Sequence, residues 1–182
     1  MVRHISIVLA ILGVALIAWS LLQRNSNFLD IRSVFKQHFR IFKGNSLQLA
    51  SIFVVPTFFA FAITQEHHVD KYVLNNLNIV LSILISMFFA ILSILCAFGS
   101  KEQNNTNYTQ LLKETFNATI FEATICIIVL FISFTKLFIG EIEQTVILQI
   151  ISGIIYYLAI VAVLNIFVVI KRLKVLFDNK SS

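Results

Sequence analysis

Glu122 is the position in this chain most heavily loaded with chemistry. It is a single carboxyl in an apolar stretch running from Ala118 to Ile139. A carboxyl inside such a stretch is costly unless it is neutral, paired or hydrated, and it commonly marks a functional site in a membrane helix. At helical spacing Glu122 shares a face with Ala118, Cys126, Val129, Ser133 and Lys136, so that face should meet protein or water rather than lipid. Glu122 and Lys136 lie 14 residues apart, about 21 Å along a helix axis, and cannot pair with each other. Lys136 is expected to snorkel to the nearer interface.

Counting back from the short connection at Gly140 to Thr145 brings Asn165 to nearly the depth of Glu122. A carboxyl and an amide at one depth can hydrogen-bond across a hairpin, or line a polar vestibule. Glu122 also lies only about one turn inside the span and can reach interfacial water, and this structural role is the favoured expectation over ion or proton transport. An ion or proton path would need more polar groups at mid-depth than Ser86, Ser133, Tyr156 and Tyr157 supply.

A second group with chemical potential is Glu66, His67, His68 and Asp70. Imidazoles beside carboxylates can bind a divalent metal or respond to pH. Adjacent histidines in a short exposed loop lack fixed geometry, so a solvated loop is expected, with no metal site and no cofactor. Enzyme signatures are missing: the sequence has no G-x-S-x-G elbow, no H-E-x-x-H, no phosphate-cradling glycine loop and no C-x-x-C pair. We therefore expect a protein that is not an enzyme.

The third group is basic. Arg32, Lys36, Arg40 and Lys43 form a stripe beside Phe28, Ile31, Phe35, Phe39 and Phe42. This pairing of aromatic and cationic faces predicts a helix over about 28–43 lying in a membrane surface, with its cations near anionic head groups. It also offers a face for a cytosolic partner. Direct nucleic-acid binding is not expected, since no recognised module is present.

The elements that must hold these groups are five apolar runs: Ile5 to Leu22, Leu47 to Thr64, Leu77 to Gly99, Ala118 to Ile139 and Val146 to Ile170. Each is long enough to cross a hydrocarbon layer about 30 Å thick. The 182-residue chain is 58% hydrophobic and only 13% charged, with a mean hydropathy of +0.89. That is far from the mix of a soluble domain. The predicted fold is an all-α integral membrane protein, one transmembrane domain over 1–182, with about five spans and the interfacial helix after the first. The abundance of Ile, Phe and Asn suits an AT-rich bacterial gene.

Of the 14 lysines and arginines, eleven fall in the first loop, the third loop and the tail. Basic residues in short loops stay cytoplasmic, so the N-terminus is expected outside and the C-terminus in the cytoplasm of a bacterial inner membrane. The first run also fits a secretory signal peptide, with Arg3 ahead of it and small residues at Ala18 and Ser20. That reading would put the five basic residues of loop one on the translocated side, against the charge rule. The glycosylation-type triplets at Asn104, Asn107 and Asn117 fall by the same logic on the cytoplasmic side. Cys96 and Cys126 lie within apolar runs and are expected to remain free.

Packing is expected to follow small residues, because close backbone approach drives association between apolar helices. Ser82, Ser86, Ala90, Ser93 and Ala97 form one stripe, which suggests that the third run is central and marks a contact within one subunit or between subunits. A weaker stripe runs through Ser6, Ala10, Gly13 and Ser20. Pro56 should bend the second span. Two functions fit. One is a non-enzymatic membrane component that oligomerises and anchors or signals to a cytosolic partner, as membrane subunits of bacterial defence or toxin operons do. The other is an oligomeric channel or membrane-disrupting pore lined by Glu122, Ser133 and Asn165.

Overall fold

The computed structural model describes residues 31–99, 106–139 and 145–178, together with Leu12, Gly13 and Leu16. The remainder of the first apolar run, Phe28, the N-terminal small-residue stripe apart from Gly13, and Asn104 with Asn105 lie outside the described residues, whereas the triplets at Asn107 and Asn117 are described and helical. The described chain is helical throughout and contains no strand. Its elements are α1 (Ile31–Ile41), α2 (Ser46–Phe53), α3 (Val55–Glu66), α4 (Lys71–Gly99), α5 (Thr106–Ile139) and α6 (Thr145–Asp178). Four helical segments are long and apolar enough to cross a membrane: Ser46–Glu66, Lys71–Gly99, Asn107–Leu137 and Leu148–Asp178. α2 and α3 together make the first of these.

The helices outrun the apolar stretches that announce them. α5 begins at Thr106 and α6 continues to Asp178, because nothing in Asn107–Asn117 or Lys171–Phe177 breaks a helix once the apolar part has formed one. These polar extensions join through an ion pair between Arg172 and Glu114, above a small apolar cluster of Leu95, Tyr108 and Leu176.

Side-by-side packing runs in the order α4, α5, α6, α3, with α1 laid against α5. The centre is therefore α5. More than half of its spanning segment is buried (56%), against 17% for α4, so the expectation that α4 is central is not met. α4 faces α5 with Leu74, Asn78, Leu81, Phe88 and Leu95, a stripe of mostly large residues that interdigitate rather than permit close approach. Ser82, Ser86, Ala90, Ser93 and Ala97 point outward and are exposed. The hydroxyls of Ser82, Ser86 and Ser93 donate to carbonyls one turn back in their own helix, which leaves no unpaired donor on that face.

The second span breaks at Val54, two residues before Pro56, which occupies the first turn of α3. Thr57 N–H bonds to Val54 O at 3.1 Å instead of reaching back four residues. The Phe53 carbonyl this releases accepts from the Tyr157 hydroxyl of α6 at 3.2 Å. A neighbouring helix thus satisfies the backbone at the kink, the usual condition for a break in an apolar helix.

Candidate functional site

Glu122 and Lys136 lie on one buried face of α5, together with Ala118, Cys126, Val129 and Ser133. Most hydroxyls of this helix are satisfied locally: Thr115, Thr119, Thr124 and Thr135 each donate to a carbonyl one turn back. Among the described residues, Ser133 and both carboxyl oxygens of Glu122 are buried without a hydrogen-bond partner, as is the side-chain oxygen of Asn78 on α4.

Lys136 does not snorkel. It is buried and donates to the backbone carbonyl of Val69, in the link between α3 and α4. The amide of the same residue donates to the Ser152 hydroxyl of α6 at 3.1 Å. Both polar backbone groups of buried Val69 are therefore paired. Next to it, Asp70 caps α4 by accepting from Val73 N–H at 2.7 Å. The link is thus pinned to two helices, while His67 and His68 are exposed on it. Among the described residues, no group of three or more His, Cys, Asp or Glu side chains could hold a metal ion.

At the other end of the bundle the expected Glu122–Asn165 tie is absent, because Asn165 is engaged elsewhere. Its side-chain amide donates to Val161 O at 3.1 Å, which turns its oxygen toward His38 Nε2, also 3.1 Å away. His38 therefore donates from Nε2 and carries its free lone pair on Nδ1, which has no partner. The imidazole stacks on Phe121, with ring centres 3.7 Å apart and planes 4° from parallel. Phe35 meets the same Phe121 ring edge-on at 4.9 Å. Burial pushes His38 down to about 4; the Asn165 hydrogen bond opposes this and the charge of Arg172 adds to it.

α1 is consequently a docked helix. Val34, His38 and Phe42, spaced four apart, are buried, and Gln37 accepts from Asn117 of α5 at 2.6 Å. Phe39 is the aromatic left partly outside, at 41% exposure, with its ring against Phe53 at 4.9 Å. Arg32, Lys36, Arg40 and Lys43 are all exposed. A tight turn at Gly44, with φ +101°, leads to Asn45, whose side chain caps α2 by accepting from Gln48 N–H at 3.2 Å. The left-handed backbone there suits glycine and little else.

The surface helix expected over about 28–43 includes His38, with no role assigned to that histidine. The available signal was its place in the stripe Val34, His38, Phe42, a histidine in an apolar row. No known protein family describes this chain, and no curated protein or solved structure matches it.

Proposed function

We propose that this chain is a non-enzymatic polytopic membrane protein of the bacterial inner membrane that oligomerises and presents a rigid basic face to a cytosolic protein partner. The observation that carries the reading is the docking of α1. Arg32, Lys36, Arg40 and Lys43 project from a helix whose opposite side is locked into the bundle through His38 and Gln37. A cationic stripe on a rigid base gives up little conformational freedom when a partner binds. In this reading the first apolar run is a fifth span, the N-terminus lies outside, and the α1 end of the bundle faces the cytoplasm near anionic head groups. The outward stripe from Ser82 to Ala97 supplies a surface on which copies can pack closely.

The experiment is replacement of Arg32, Lys36, Arg40 and Lys43 together by Gln, followed by purification from the native host. Membrane insertion should persist and the partner should be lost. Unchanged co-purification would overturn the reading.

A channel remains a second reading because of one observation, the unpartnered polar atoms of Glu122 and Ser133 on a single face of α5. Both residues are sealed at 0% exposure within the single chain, so a conducting path would require assembly to open the bundle. Altered ion flux on Glu122→Gln in liposomes would favour that reading.

A further inference from the structure

Where α1 crosses the polar extension of α5, a half-enclosed notch of about 50 Å³ opens between Arg40 and Lys113. We propose that it binds a phosphate group, gripped by the Arg40 guanidinium and the Lys113 ammonium. This rests on the reading that the α1 end faces a membrane surface, and it adds a discrete ligand site to that reading.

The charge balance favours an anion. The lining contains two exposed cations, Arg40 and Lys113, and no ion-pair partner is found for either among the described residues. Its one carboxylate, Glu114, is already committed. One oxygen pairs with Arg172, and the other accepts from the Gln110 amide at 3.1 Å. Glu114 therefore repels an incoming anion less than a free carboxylate would.

The remaining wall is built to donate. Because Gln37 uses its oxygen to accept from Asn117 at 2.6 Å, its own amide N–H groups stay available on the same wall. An arginine fork can take two phosphate oxygens at once, and a lysine adds a compact positive charge.

Depth favours a lipid as the source of that phosphate. Gln110, Lys113, Glu114 and Asn117 occupy one face of α5 at helical spacing, and the apolar run begins at the next residue, Ala118. From Gln110 to Asn117 the helix rises about 10 Å. The head-group layer on one side of a bilayer is about 5–7 Å thick. The notch thus starts at the hydrocarbon edge and spans the layer in which phospholipid phosphates sit. Basic pockets between helices at this level are established head-group sites in other membrane proteins.

The test is native mass spectrometry of the full-length chain in neutral detergent, titrated with phosphatidylglycerol, phosphatidylcholine or inorganic phosphate. Wild type should retain one phosphatidylglycerol per chain about tenfold more tightly than phosphatidylcholine. Arg40→Gln with Lys113→Gln should erase that preference, whereas Lys171→Gln with Lys174→Gln, exposed on α6 outside the notch, should keep it. Glu114→Gln should tighten retention severalfold, a gain that a folding defect cannot produce.

Displacement of the lipid by millimolar inorganic phosphate would support the notch and assign free phosphate as its ligand. Resistance to displacement would assign the lipid. Equal loss in both double variants, or no loss in Arg40→Gln with Lys113→Gln, overturns the proposal. Because the purified chain is used without a partner, failure here leaves the docking reading standing. Failure of that reading would show instead as a partner unaffected by the fourfold Gln variant.

Discussion

Glu122 and Lys136, the two buried residues of α5 with charge-bearing side chains, sit on one face of the helix and have opposite surroundings. At the Val69 end, Lys136 reaches a backbone carbonyl that would otherwise be unpaired, and Ser152 secures the amide of the same residue. At the α1 end, Glu122 is sealed off with both oxygens unpartnered among the described residues, while His38 Nε2 is bound to Asn165 and His38 Nδ1 is left without a partner there as well. A buried polar group that completes a hydrogen bond supports the fold; one left alone weakens it. An ionisable residue in an apolar helix must therefore be judged by its partners, since the sequence singles out Glu122 and passes Lys136 as an interfacial residue, while burial takes in both.

The largest expected effect lies at the α1 end, yet away from Glu122. His38→Ala removes a buried ring, its stack on Phe121 and the bond to Asn165, and should cost about 2–4 kcal/mol. Thermal unfolding in detergent measures this, and a loss below the Lys136 value would break the ranking. Next comes Lys136→Met, which preserves bulk but leaves the Val69 carbonyl unpaired. It should cost about 1–3 kcal/mol, read in the same way, with faster amide exchange confined to residues 67–70.

A pH titration separates the two ends more finely. An undocked His38 takes up a proton near 6.5, whereas the docked ring does so only near 4. Between those values the undocked state binds more protons, so docking is fully favoured above about pH 6.5 and is lost progressively as pH falls toward 4. Hydrogen exchange over Ile31–Ile41 should accelerate across that window in wild type. It should show no such dependence in His38→Phe.

The smallest effect is expected at Glu122. Glu122→Gln should change stability by less than about 1 kcal/mol, because Glu122 has no partner to lose among the described residues, and Glu122→Leu should be neutral or stabilising. A loss matching that of Lys136→Met would mean that Glu122 has a partner, and the contrast between the two ends would collapse.

How far the sequence discloses this arrangement differs between elements. The apolar stretches from Leu47 onward all mark helices long and apolar enough to cross a membrane, because hydrocarbon thickness and helical rise leave little freedom. Their ends were less legible, since a run such as Ala118–Ile139 marks the apolar part of α5 and gives no stop signal for the polar turns before it. Inside and outside were harder still. The Ser82–Ala97 stripe reads as a packing face, but large residues on the opposite side of α4 fill the contact with α5. For the candidate site, Glu122 stands out by its type alone. His38 is hidden by its position among cations and aromatics that resemble a surface helix, and only the docking of α1 brings it to Asn165.

We propose that α1 serves as a fixed basic platform for a cytosolic protein. The most direct test is the mass and composition of the particle formed by the full-length chain purified in nanodiscs from its native host, beside the fourfold Gln variant of Arg32, Lys36, Arg40 and Lys43. The expected particle is a discrete oligomer carrying a soluble protein in fixed ratio, with the same oligomer stripped of that protein in the variant. A particle of the chain alone, identical in mass before and after the substitutions, would contradict it.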